Sequence, residues 1–215
     1  MTFSKKSRAT AGLLAVMTFL LSGSQTIAKV QPASKISLLS TTEEVVPETK
    51  YVWVGENFTE NESRVLEFLQ ERGITDRAAL ATILGNIKQE SRFETKICEG
   101  GQRTGYSRCY RGGFGLIQWT TLSRYQGLGS YARIHKLDPN TLEAQLRWMV
   151  AERQWTDNEY VWKTPGKSIP QYMNAAYKWL GWGIHGNRTV YAYQYYEAMS
   201  QQSVTTETLD TSVTD

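Results

Sequence analysis

Glu90 is the residue of this sequence whose type and setting best suit chemistry. It lies in the stretch GNIKQESRF (85–93), at the end of a segment that reads as an amphipathic helix. Asp76 is suited to cap that helix, and Leu80, Ile83, Leu84 and Ile87 repeat at the three–four spacing of one apolar stripe. At about 100° per residue, Glu90 falls within roughly 20° of Ile83, so it sits on the border of the buried face. Burial and the negative end of the helix dipole both disfavour a charged carboxylate there and raise its pKa. A carboxyl that keeps its proton near neutral pH is what a general acid needs. The alternative is a rim glutamate paired with Lys88 or Arg92.

The elements that must position Glu90 are legible around it. TENE (59–62) forms a capping box that opens a helix through Arg72, with Val65, Leu66, Phe68 and Leu69 inward. Gly73 ends it and the Asp76–Glu90 helix follows. Residues 98–121 are rich in glycine, aromatics and β-formers and predict a stapled loop with a short hairpin. Helices resume at 123–136, 141–153 (Leu142, Leu146, Met149 and Val150 on one stripe), 168–180 and 188–199. The fold class is therefore α+β, mainly helical, with one small β-hairpin inserted after the second helix.

The 215 residues suit one domain with flanking sequence, and a content of 40% hydrophobic and 12% aromatic residues is ample for a core. Lys5, Lys6 and Arg8 precede the apolar run AGLLAVMTFLL (11–21), and small residues lead to Ala28. This is the pattern of a signal peptide over 1–28. The run falls short of the ~20 residues that span a bilayer, so stable membrane insertion is not expected after cleavage. LLSGS (20–24) resembles a lipoprotein box but has Ser24 where a lipidated cysteine would stand. Residues 29–50 read as a flexible linker, 51–199 as the folded domain and 200–215 as a disordered acidic tail.

Cleavage after Ala28 removes three basic and no acidic residues, leaving 21 of each sign. A neutral mature chain makes a dedicated nucleic-acid binder an unsuitable reading. From Gly100 to Lys136 there are nevertheless six basic residues and no acidic one, a local positive field that favours a polyanion or simply a solvated face. The only two cysteines, Cys98 and Cys109, are close enough in an exported chain to expect a disulfide rather than free thiols or a metal site.

The stretch ILGNIKQESRF (83–93), followed by GGFGLIQWTTLSRY (112–125), resembles the phage tail lysozyme family. That family belongs to the lysozyme-like superfamily, with goose-type lysozymes and lytic transglycosylases. LEAQLRWMV (142–150) is similar to a further helix of the family. The resemblance implies a lysozyme-like fold and a secreted peptidoglycan glycosidase, a muramidase cutting the N-acetylmuramic acid–N-acetylglucosamine β-1,4 bond. It implies that Glu90, the glutamate of ES, is the catalytic acid.

Beside Glu90, the second motif makes sense as a sugar-binding wall. Gly112, Gly113 and Gly115 let backbone approach a sugar, Gln118 can donate and accept at once, and Trp119 offers a flat apolar face. The alternative is an edge hairpin whose glycines only make turns. Gln118 and Trp119 alternate faces, so one of them could be turned away. Arg124 is better placed to hold the loop through a carboxylate than to bind substrate. Of the seven tryptophans most are expected in the core, with Trp182 in GWGIHGN as the second sugar platform and His185 structural or solvent-facing.

A glycoside hydrolase usually adds a second carboxylate ~5–5.5 Å away for retention or ~6.5–9.5 Å for inversion. The candidates are Glu94 and Glu99, the latter inside the stapled loop. If neither faces Glu90, one carboxyl serves as acid and then base, as in lytic transglycosylases, and hydrolysis and transglycosylation both stay open. A wall-binding module with a vestigial cleft and a chitinase-like glycosidase are the competing readings. No metal or organic cofactor is implied; the expected partner is a peptidoglycan glycan strand and the expected state a monomer.

Overall fold

The computed structural model of the protein describes residues 49–110 and 112–205. The expected signal peptide, the linker up to residue 48, Arg111 and the tail from residue 206 lie outside the described residues. The order is β1 (Thr49–Gly55), α1 (Glu60–Glu71), α2 (Arg77–Ser91), β2 (Ile97–Cys98) and β3 (Gln102–Arg103). Then come α3 (Leu122–His135), α4 (Leu142–Ala151), α5 (Arg153–Thr156), α6 (Glu159–Trp162), α7 (Ile169–Leu180), α8 (Arg188–Ala198) and β4 (Met199–Thr205). The fold is α+β and mainly helical.

The caps form where the sequence predicts them. The Thr59 backbone N–H donates to Glu62 at 2.8 Å while the Thr59 side chain accepts from the Glu62 N–H, closing the capping box of α1. Asp76 accepts from the Ala79 N–H at 3.0 Å and starts α2. The α2 stripe is fully buried, and so are Ala79, Ala81, Thr82, Gly85 and Asn86, because α1, α7 and α8 surround the helix. Gly85 explains how closely α8 approaches. A Cβ there would stand 2.4 Å from the Ala192 backbone nitrogen and 2.9 Å from the Arg188 carbonyl oxygen. The missing side chain thus brings the start of α8 alongside the end of α2.

A tryptophan cluster fills the core between the short helices and α7. Trp155 meets Trp179 edge-on with centroids 5.0 Å apart and stacks on Trp162 at 6.0 Å. With Trp119, four of the seven tryptophans are fully buried.

The small β element sits after the second helix, as expected. β2 pairs antiparallel with β3, and Phe114 bridges Cys98 on one side and Trp119 on the other. Four details differ from the sequence reading. Thr49 and Lys50, expected to end the flexible linker, open β1 instead. The helix expected at 141–153 ends at Ala151, since Glu152 is extended (φ −73°, ψ 149°) and α5 starts anew. The short helices α5 and α6 are additional. Residues 200–205, expected to begin the disordered tail, form β4, which pairs antiparallel with β1 from Thr49↔Thr205 to Gly55↔Met199. This ladder leaves little trace in sequence because the chain from Ser200 through Val204 is exposed and is joined to β1 through its backbone.

Candidate active site

The last turn of α2 delivers Glu90 to a cleft of about 510 Å³, walled by Gln118, Arg124, Trp182 and Arg188 among others. The Glu90 side chain is 16% exposed and pairs with Arg188, whose side chain is 5% exposed. Arg188 Nη2 donates to Glu90 Oε1, and Oε2 has no hydrogen-bond partner among the described residues. Burial lifts the carboxyl above its ordinary pKa, and Arg188, with a smaller contribution from Arg124, holds back part of that rise. The predicted rim pairs do not form. Lys88 lies 3.8 Å from Glu62 instead, and Arg92 is exposed in the left-handed cap of α2 (φ 54°). The counter-cation comes from 98 residues further along the chain.

Sequence reasoning missed Arg188, although a signal was present. Arg188, Ala192 and Tyr195 fall at the i, i+4, i+7 spacing of a buried face and are all buried. The guanidinium is held on several sides. Nη1 donates to the carbonyls of His185 at 2.9 Å and Ile184 at 3.3 Å, and the head lies 4.7 Å over the Trp182 ring. The loop that carries these groups is tied to α2 by Gln89, whose Oε1 accepts from the Asn187 N–H at 2.8 Å.

The second motif divides between cleft and scaffold. Gln118 lines the cleft at φ 52°, and its Nε2 donates to the carbonyls of Gly115 at 3.0 Å and Ile97 at 3.3 Å. Trp119, expected as a sugar platform, is 0% exposed, and its Nε1 points at Glu152 Oε2 from 3.3 Å. This corrects the expectation: Gln118 closes a turn in the left-handed region and stays at the cleft, while Trp119 enters the core and meets Glu152. Gly115, expected at the substrate, is also buried, with φ +70°. A Cβ there would lie 2.5 Å from Gln145 Oε1, so it serves close packing rather than glycan contact.

Two side chains pin the loop at Leu116. Gln145 Oε1 accepts from its N–H at 2.8 Å, while the Ser91 hydroxyl donates to its carbonyl at 2.7 Å. Ser91, next to Glu90, and Gln145 of the helix LEAQLRWMV therefore hold the wall that faces Glu90. Arg124 acts as expected: it forks onto Glu152 at 2.8 and 2.5 Å and presents its outer side to the cleft.

Neither candidate second carboxylate reaches the cleft. Glu94 is held by an Arg103 fork at 2.8 and 2.6 Å, and Glu99 is exposed in the 3₁₀ turn Glu99–Gly101. Among the described residues, Glu90 is the one carboxylate lining the cleft. Trp182 does line it, half-buried, with Tyr177 edge-on at 5.3 Å. His185 is exposed and hydrogen-bonds locally, to Gly186 O and Thr189 Oγ1, each at 3.1 Å. Cys98 and Cys109 form a disulfide with Cα atoms 5.7 Å apart, bracing β2 against the start of the glycine-rich wall. Among the described residues no group of three or more His, Cys, Asp or Glu could hold a metal ion, and no helix is long and apolar enough to cross a membrane.

A mainly helical domain with a half-buried glutamate ending its central helix, opposite a small β wall, defines a lysozyme-like protein. The chain belongs to the phage tail lysozyme family, whose model matches residues 60–207. Membership carries a lysozyme-like, peptidoglycan-acting glycosidase function in general terms. No curated protein matches the chain.

Proposed function

We propose that the protein is an exported muramidase that cleaves the β-1,4 bond between N-acetylmuramic acid and N-acetylglucosamine, with Glu90 as its general acid. The observation that carries this reading is a carboxyl in the cleft, raised in pKa by burial, with Oε2 unpartnered among the described residues. Oε2 protonates the glycosidic oxygen as the C1–O bond breaks. Gln118 and Trp182 seat the sugar rings on either side. Acid catalysis on an acetal needs neither metal nor cofactor.

A single carboxylate lining the cleft among the described residues favours lytic transglycosylation over hydrolysis. Without a second carboxylate to activate water or form a glycosyl ester, the muramyl C6 hydroxyl is the nearest nucleophile. It attacks C1, its proton returns to Glu90, and an anhydro ring closes. The proton given to the leaving group is thereby restored. The chain starts as a precursor whose residues 1–28 direct export, and the mature protein acts as a monomer on glycan strands outside the cytoplasm.

Mass spectrometry of products from purified sacculi tests the reading. Anhydro-muramyl ends are expected. Reducing ends would make the protein a hydrolase, and an absence of products alongside retained binding would make it a wall-binding module. Cleavage of soluble chitin oligomers in preference to sacculi would instead indicate a chitinase-like enzyme. An exported form beginning at Lys29 is expected; one that retains the apolar run would overturn the export assignment.

A further inference from the structure

Arg188 does more than neutralise a buried charge. A single carboxyl that is acid in one step and base in the next works best with its pKa near the operating pH. Burial alone pushes Glu90 upward, away from easy release of its proton, and Arg188 on α8 is the foremost group opposing it. Arg124 on α3 is the second, but its charge is already committed to Glu152 behind it. The other surroundings contribute little charge: Gln118 is neutral, Lys88 is turned to Glu62 on α1, and His185 is exposed on the loop before α8.

Geometry adds a second role. The guanidinium cannot follow the carboxyl, because Nη1 is tied to two loop carbonyls and its face rests over Trp182. A planar head fixed in this way offers Nη2 in one direction, and Glu90 meets it with Oε1 alone. We infer that Arg188 is the positioning residue of the site, fixing Glu90 with Oε1 against the guanidinium and Oε2 toward the glycan, and stabilising the carboxylate once its proton has gone. This rests on the reading of Glu90 as the acid. It also gives Trp182 two duties, as a sugar platform on one side and a support for the cation on the other.

The test uses the full mature chain and two variants, Arg188→Met, which removes the cation, and Arg188→Lys, which keeps a charge but loses the fork. A general acid is active while protonated, so kcat/KM falls as pH rises through the pKa of Glu90. Removing the cation should move that alkaline limb upward by about one pH unit or more, the size of shift an adjacent opposite charge produces. The Lys variant should fall between wild type and Met. Carbon-13 titration of the Glu90 carboxyl should show the same displacement without any turnover. A folded Met variant with an unmoved Glu90 titration overturns the inference; if Met does not fold, an unmoved titration in Lys together with a wild-type rate at the plateau does so. A displaced titration in a chain that cuts no glycan would uphold the role of Arg188 in placing the carboxyl and refute the functional reading instead.

Discussion

Two walls of the same cleft each contain a glutamate–arginine pair largely withdrawn from solvent, and the pairs are built differently. Glu152 receives both arms of the Arg124 fork and faces the Trp119 indole N–H, with its side chain 2% exposed. Glu90, which lines the cleft, receives one bond from Arg188 on one oxygen, and the other has no hydrogen-bond partner among the described residues. The backbone produces this contrast. Glu152 sits at the extended junction between α4 and α5, where its carboxylate turns inward to meet α3. Glu90 sits on the last turn of α2, where the helix ends at the cleft rather than under it. A saturated carboxylate is a structural tie, since any other partner must displace bonds that already exist. A half-saturated one keeps a vacant lone pair, or a proton, for a ligand. Residue type alone does not distinguish the two; the number of bonds to each oxygen does.

The sharpest way to break this comparison is to change the two glutamates separately. Glu90→Gln keeps the volume and a hydrogen bond but has no proton to give. Cleavage of sacculi should fall by about 10²–10⁴-fold, the range that general acid catalysis supplies, with the fold retained by circular dichroism. Near-normal turnover would place Glu90 in the same structural class as Glu152.

Glu152→Ala should do the opposite. It leaves Arg124 with an uncompensated charge beside a buried tryptophan, and breaking such a pair lowers stability by about 3–5 kcal/mol. Denaturant unfolding measures this directly. A loss of activity with no change in unfolding midpoint would mean that Glu152 is a second functional carboxylate.

Reducing Cys98–Cys109 loosens only the wall opposite Glu90. A loop this short should contribute about 2–3 kcal/mol, and opening it should raise KM before it lowers kcat. Thermal scans with and without reductant, paired with kinetics below the transition, would show it. An unchanged melting temperature would remove the disulfide from any bracing role.

The smallest expected effect is a pH dependence. Burial raises the Glu90 pKa above its ordinary 4.5, so in that window the folded chain holds more protons than the unfolded one. Its contribution to stability is therefore present below pH 4.5 and declines as pH rises through the raised value. Gln has no such titration. The melting-temperature difference, Glu90→Gln minus wild type, should be more positive at pH 7 than at pH 4. A difference independent of pH would mean that burial and Arg188 cancel at this carboxyl.

The helices and the candidate acid were legible because their information is local. The capping box at Thr59, the cap at Asp76 and the α2 stripe specify two helices through neighbours a few residues apart, and Glu90 follows from its angle on that stripe. The alternation of Gln118 and Trp119 also showed that one of them could be turned away. Which one faced the cleft was not local: Trp119 is buried where α4 ends at Ala151 and Glu152 meets its indole. The exposed β4 strand gave no burial period to read, since backbone bonds to a distant strand hold it in place.

The sequence by itself therefore determined where α1 and α2 begin, that the two cysteines could pair, and which carboxyl stands at the edge of a buried face. The tertiary structure decided what that carboxyl meets. Gly85 has no meaning in sequence until a second helix approaches it, and Arg188 becomes the partner of Glu90 because that approach sets α8 against α2. Periodicity fixes angles around one helix axis, whereas the field and the hydrogen bonds at a buried group depend on distances between axes, which are set only when the whole core packs.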